Sequence, residues 1–403
     1  MTTSTETSGA RWHDLDAVRA FALLLGVVLH GVMSFMTPRI WIIADTVTGT
    51  GPNIAFYIIH IFRMTTFFVL AGFFARMMME KRGVGGFIGN RLKRVAVPLV
   101  IFWPIVLATI IAVAIIANMP APGAVAAPAP PPPAFNVATF PLTHLWFLYV
   151  LLLLYAGAIL IKLVTDVLHV GGVLGRVLDK VVGALTKTDL ISALLIVPVA
   201  ATMYVAKGWM LWFGIPTPDT GLIPNAMATA GFVTAFTFGW WLHRSPDLID
   251  HLACRFWMYG LSAGIGTWWC LSIAGHSPAF TPVNGQDHPL YCLLYPLTAW
   301  SWALALIGAG RAFLKRENPM VRLLSDASYW VYIMHIPVLM GLQFAVRDLA
   351  WPLEAKAAAV LMGTLTICVL SYVVFVRYTF IGTILNGRRR KAKVMAQSKE
   401  ATA

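Results

Sequence analysis

The sequence predicts an all-α, polytopic membrane protein with about ten transmembrane helices and both termini cytoplasmic. Three observations carry that reading. The 403-residue chain is 59% hydrophobic and 12% charged, with a mean hydropathy of +0.75; soluble globular proteins carry about 25% charged residues. It divides into ten apolar runs, each of about the 20 residues needed to cross a hydrocarbon core of about 30 Å. Its Lys and Arg residues are also sided. With the N-terminus inside, 23 of the 30 fall in inner segments, 4 (Arg39, Lys207, Arg347 and Lys356) fall in outer ones, and Arg19, Arg63 and Arg377 lie within spans. That asymmetry orients the chain. Because the basic residues are split among loops, they form no single footprint for nucleic acid.

The first run, 15–36, begins LDAVRAFALLLGVVLHG. The tail before it, residues 1–14, holds one arginine and no basic cluster, so the run is expected to be a retained helix and not a cleaved signal. Asp16 and Arg19, at i and i+3, share a face and form a structural pair. His30 follows after ten residues, about 16 Å further along the axis, in the outer half of the bilayer. Ionisable groups at such depth are costly and mark a function or a buried partner. The second run, 54–78, contains FYIIHIFRMTTFFVLAGFF, where His60 and Arg63 are again at i and i+3. Descending from outside, they reach the depth of His30, which implies a shared polar cavity. A histidine there is either a hydrogen-bonded packing residue or a general base.

The third run, 95–117, is introduced by RLKRVAVP, with Arg91 and Arg94 at i and i+3. They suit either snorkelling at the inner leaflet or a clamp on phosphates, and no glycine-rich phosphate loop accompanies them. The uncharged NMPAPGAVAAPAPPPPAF, 118–135, reads as a stiff outer spacer. The fourth run, 144–165, opens on His144. The fifth to eighth are 190–207, 226–243, 255–275 and 289–310. Between them the outer loops 207–225 and 276–289 mix aromatics with Asn, Gln, Asp and His, a composition suited to a sugar. The ninth, 327–346, places Ser328, Tyr332 and His335 on one face ahead of Pro337, a polar stripe expected to line a cavity. The tenth is 356–380. Residues 381–403 form a basic tail expected to lie against inner-leaflet lipid. The four cysteines sit in or beside apolar runs without close pairing, as small core residues, so neither metal nor disulfide is expected.

In order, LDAVRA with the Arg19–His30 spacing, FFVLAGFF (67–74), the RLKR arginines, HLWFL (144–148) and SYWVYIMHIP (328–337) resemble acyltransferase family 3, the integral membrane acyltransferases. FRMTTFF (62–68) and HLWFL are most similar to its periplasmic-glucan succinyltransferase branch. Many O-acetyltransferases of the family have a glycine–acidic stretch where Arg63-Met64-Thr65-Thr66 stands here, and Ala71 replaces the usual serine. The resemblance implies a membrane domain over 15–380 in a bacterial inner membrane. It implies transfer of an acyl group from cytoplasmic acyl-CoA, succinyl-CoA or acetyl-CoA, to a hydroxyl of a periplasmic glucan or another envelope glycan. Under it His30 is the catalytic base, while Arg19, Arg91 and Arg94 hold CoA phosphates. His60, Arg63, His144, Ser328, Tyr332 and His335 belong to the substrate or acyl cavity. Arg63 either pairs with a succinyl carboxylate or balances buried groups. A transporter, with the same histidines and arginines along a path, is the reading from another class; no internal repeat of the transporter kind is found.

Overall fold

The computed structural model describes residues 12–117, 119, 135–206, 209–280, 287–316 and 318–386. Most of the predicted polyproline spacer 118–135, most of the N-terminal tail, residues 387–403 of the predicted basic tail 381–403, Lys207 and the middle of the 276–289 loop lie outside them, whereas 381–386 of that tail are helical. Among the described residues all regular structure is helical, with one isolated antiparallel bridge, Pro141 to Thr220. The helices are α1 His13–Val32, α2 Thr50–Arg91, α3 Val97–Ala117, α4 Trp146–Val167, α5 Gly171–Lys187, α6 Ile191–Val205, α7 Ala226–Leu242, α8 Asp247–Ala274, α9 Asp287–Phe313, α10 Pro319–Val346, α11 Leu353–Ser371 and α12 Phe380–Asn386.

Each of the ten apolar runs is met by a helix. Six helical stretches are long and apolar enough to cross a membrane: His13–Phe35, Thr50–Ala117, Thr143–Val167, Asp287–Phe313, Pro319–Val346 and Leu353–Val376. The second is 68 residues long. It comprises α2 and α3, bent at Gly83 (φ 67°) and joined by a π-helical turn at Leu92–Ala96. The segment read from sequence as an inner loop, 76–94, is therefore mostly helix. Its MMMEKR stretch has high helix propensity, and Arg76 Nε donates to Glu80 Oε1 at 2.6 Å one turn on. The pair α5 and α6, bent by 105°, adds a seventh candidate, and α7 is a shorter apolar helix.

α5 was not expected. Val173, Val177 and Val181 form an exposed apolar stripe at one-turn spacing, with Arg176 and Lys180 elsewhere on the helix, the pattern of a helix lying in a membrane interface. Asp179 ties it to the end of α7 by accepting both Nε and Nη2 of Arg244 at 2.5 Å.

α1 starts at His13, so the predicted tail gives up its last residues to the helix. Arg311 of α9 explains this: it donates to buried Asp14 at 3.2 Å and to Asp250 of α8 at 2.8 Å, and covers the Trp12 ring. The Arg311 hydrogen bond holds the Asp250 carboxyl below its ordinary range. The predicted Asp16–Arg19 pair is present at 3.0 Å.

α1 packs against α2, α9, α10 and α11, and α2 also packs on α7. The α2–α7 crossing is close because glycines face backbone. A Cβ on Gly72 would strike the Phe236 carbonyl, and one on Gly239 would strike the Val69 carbonyl. Small residues allow such approach between membrane helices. Gly239→Ala is therefore expected to destabilise by about 1–3 kcal/mol, because the helices must separate. Gly260→Ala, at a position with open space, serves as the control. Equal thermal midpoints for both variants in detergent would refute the close-packing account.

Candidate active site

The last turn of α1 carries His30, and α10 supplies what surrounds it. His335, 3% exposed, sets its ring 5.4 Å from that of His30, with Trp41 5.7 Å away. Neither ring nitrogen of His30 makes a hydrogen bond among the described residues, and Nδ1 is buried. A histidine that takes up and returns a proton needs one ring nitrogen open to its substrate.

The neighbouring histidines are held differently, and Pro337 is the reason. A proline inside a helix has no N–H, so the carbonyl four residues earlier, that of Ile333, loses its intrahelical donor. His144, in the short helical turn Thr143–Leu145 before α4, fills the place: its Nε2 donates to the Ile333 carbonyl at 3.1 Å. In return the Tyr332 hydroxyl donates to the His144 carbonyl at 2.7 Å. His335 Nδ1 donates to the Tyr332 carbonyl, also at 2.7 Å. Each of these two imidazoles spends one nitrogen on backbone, which leaves His144 Nδ1 and His335 Nε2 buried without partners.

Arg63 of α2 completes the cluster. Gly26 makes room for it, since a Cβ there would collide with Nη1 of the guanidinium. Its Nε is buried without a hydrogen bond, and no carboxylate pairs with it among the described residues. A cation so placed calls for an anion. His30, Arg63, His144, Tyr332 and His335 line one narrow cavity of about 30 Å³, walled by Leu23, Met64, Phe67, Trp146 and Phe147, with no Asp or Glu in its lining. That is room for a few atoms, such as a carbonyl group or a water, and not for a sugar ring.

Two residues expected in this cavity are elsewhere. His60 Nε2 donates to the Ile215 carbonyl at 3.3 Å and its ring stacks on Phe56, so it pins the 209–225 loop. Ser328 is buried and donates to the Ser325 carbonyl at 2.8 Å.

Arg19, Arg91 and Arg94 are brought together only in part. Arg91 donates to Asn90 Oδ1 at 2.6 Å and lies over Phe87 and Tyr155. Arg94 stands in the π-helical turn, a feature frequent at functional positions, near enough to Arg91 and Arg82 to be repelled by them. The Tyr329 hydroxyl donates to the Arg94 carbonyl at 2.6 Å, and the Tyr329 ring stacks 6.5 Å from that of Tyr332. One face of α10 thus links the arginines to the histidines. Arg19 makes its contacts on the α1–α2 seam, with Asp16 and over the Phe74 ring at 5.2 Å. A wider cleft of about 210 Å³ opens beside the first turns of α1 and α10, lined by Asp16, Arg316, Arg322 and Ser325 among others.

Residues 12–376 match the model of a family described as an acyltransferase domain, the one the ordered motifs resemble. The chain belongs to acyltransferase family 3. It is accordingly an integral membrane acyltransferase. No curated protein and no solved structure matches it.

Two residues of this acyltransferase outside the sequence-predicted set, Gln343 and Trp41, hold His30 in place. Gln343, fully buried, donates to the carbonyls of His30 and Gly31 at 3.1 and 3.2 Å and accepts from Trp41 Nε1 at 2.8 Å. It thereby fixes the backbone at His30 and the indole beside it. A signal existed: Gln343 lies eleven residues, about three turns, beyond Tyr332 and so extends the same stripe. Trp41 had no such signal, being in the loop between α1 and α2.

Proposed function

We propose that the protein is a bacterial inner-membrane O-acyltransferase that moves an acyl group, succinyl in preference to acetyl, from cytoplasmic acyl-CoA to a hydroxyl of a periplasmic or envelope glucan. Under this reading the ten apolar helices all cross the bilayer and both termini are cytoplasmic. The observation that carries it is His30: an imidazole with no side-chain hydrogen bond among the described residues, at a cavity whose lining has no carboxylate and includes the guanidinium of Arg63.

Arg91 and Arg94 hold the donor's phosphates at the inner face, with Arg19 and the inner cleft available to the rest of the nucleotide. The thin pantetheine arm runs along α10 past Tyr329 and Tyr332 and brings the thioester carbonyl to the cavity. The acceptor hydroxyl approaches from the outer side. His30 takes its proton as the oxygen attacks the thioester carbon, the C–S bond breaks, and the CoA sulfur leaves with that proton. Arg63 pairs with the free carboxylate of a succinyl group, which a dehydrated site otherwise disfavours.

The experiment follows free-thiol release by the purified protein from succinyl-CoA and acetyl-CoA with a periplasmic-type glucan. The wild-type protein is expected to release thiol only when acceptor is present. Arg63→Gln should lower turnover of succinyl-CoA by about 10- to 100-fold, the worth of a charge-assisted hydrogen bond, while leaving acetyl-CoA turnover near the wild-type value. An unchanged ratio between the two donors in a well-folded variant would refute the role given to Arg63. Donor turnover with no glycan at all would refute the transfer reading.

A further inference from the structure

We infer that His335 is the positioning residue for His30, accepting its Nδ1–H and so presenting Nε2 as the base. The inference rests on the acyl-transfer reading above and adds a role that spacing and family membership do not assign.

His30 Nδ1 and His335 Nε2 are both buried and both without partners. Their rings stand 5.4 Å apart between centroids, inclined at 44°. Two imidazoles joined by a direct N–H···N bond of about 3 Å have centroids roughly 5 Å apart, so a small side-chain rotation closes the contact. The direction of the bond is fixed by His335. A carbonyl oxygen only accepts, so the 2.7 Å contact with the Tyr332 carbonyl requires the proton on His335 Nδ1. In the neutral ring Nε2 is then a lone pair, able to accept and unable to donate.

His335 Nε2 is the buried acceptor without a partner whose ring lies against that of His30. Gln343 Oε1 already receives the Trp41 indole, and no carboxylate lines the cavity. Arg63 offers only donors. His144 Nδ1 is also a free lone pair, but its ring is packed against those of His335 and Tyr332. His335 therefore stands where serine and cysteine hydrolases place a carboxylate or an amide, behind the working histidine.

In the reaction the His30 Nδ1–H stays bonded to His335 throughout. His30 Nε2 takes the acceptor hydroxyl proton as the C–O bond forms, and gives it to the CoA sulfur as the C–S bond breaks. His335 gains no proton; it fixes the tautomer and the orientation of His30.

The two nitrogens of His335 can be separated by substitution. Asparagine retains a donor near the Nδ1 position and has no atom at Nε2; glutamine places an oxygen near Nε2; phenylalanine fills the space with neither. In the thiol-release assay His335→Asn and His335→Phe are expected to lose about 100-fold in kcat with the KM for acyl-CoA within about threefold of wild type, and His335→Gln to return to within about tenfold of wild type. Added to His30→Ala, His335→Phe should cost nothing more, since it acts only through His30. Wild-type kcat in His335→Asn, a glutamine variant no better than phenylalanine, or an undiminished further loss on top of His30→Ala would each overturn the pairing. An inactive wild-type protein would instead overturn the acyl-transfer reading, and the pairing with it.

Discussion

His30→Ala is expected to lower acceptor-dependent thiol release by about 10²- to 10⁴-fold, the contribution of a positioned general base, with the KM for acyl-CoA little changed. The expectation follows from what His30 does not do. Apart from the inferred pairing with His335 it makes no side-chain hydrogen bond among the described residues, so its removal deletes that pairing and the ring contacts with Trp41 and His335 and breaks no wider network. The backbone at this position is held independently by Gln343. Stability and chemistry are therefore separable, and a thermal midpoint close to wild type should accompany the loss of turnover. Activity above a tenth of wild type in the folded variant would assign the base elsewhere, with His144 Nδ1 the next candidate in the cavity.

Lys356→Met is expected to destabilise the protein by about 3–5 kcal/mol, the cost of breaking a fully buried ion pair from one side. Lys356 and Asp45 have side chains 0% exposed, with Nζ 2.8 Å from Asp45 Oδ1. Nζ also donates to the Arg347 carbonyl at 2.7 Å, and Thr46 Oγ1 reaches the same carbonyl at 3.2 Å. Together these contacts fasten the loop between α1 and α2 onto the connection between α10 and α11. That loop carries Trp41, whose ring lies against His30, so the consequence extends to the active site. Without the lysine, Asp45 is a buried charge with one oxygen, Oδ2, already lacking a partner. The second half of the test is the double variant Asp45→Leu with Lys356→Met. It should recover much of the loss, because removing both charges removes the desolvation cost with them. A thermal midpoint in detergent that is unchanged in Lys356→Met, or a double variant worse than the single, would contradict this account.

The sequence by itself determined what is local. Apolar runs of membrane-spanning length give helices wherever they occur, since backbone groups in lipid must bond within their own segment. The Asp16–Arg19 pair is set by a spacing of three residues on one helix, and the stripe of Tyr332 and His335 by one face of another. Only the tertiary structure decided which polar groups meet. His60 and Arg63 look equally well placed three residues apart, yet one ring turns to the Ile215 carbonyl while the other side chain enters the cavity through the gap at Gly26. The capture of His144 depends on a carbonyl freed by Pro337 on α10, the carbonyl lying 189 residues further along the chain. Arg19 shares a spacing with the arginine pair of the third run in no sense that brings it there, and its guanidinium goes to Asp16 and Phe74. The cavity is assembled from four segments far apart in the chain. The partners of its orphaned nitrogens are fixed by how those segments pack, and helical periodicity describes each segment only along its own axis.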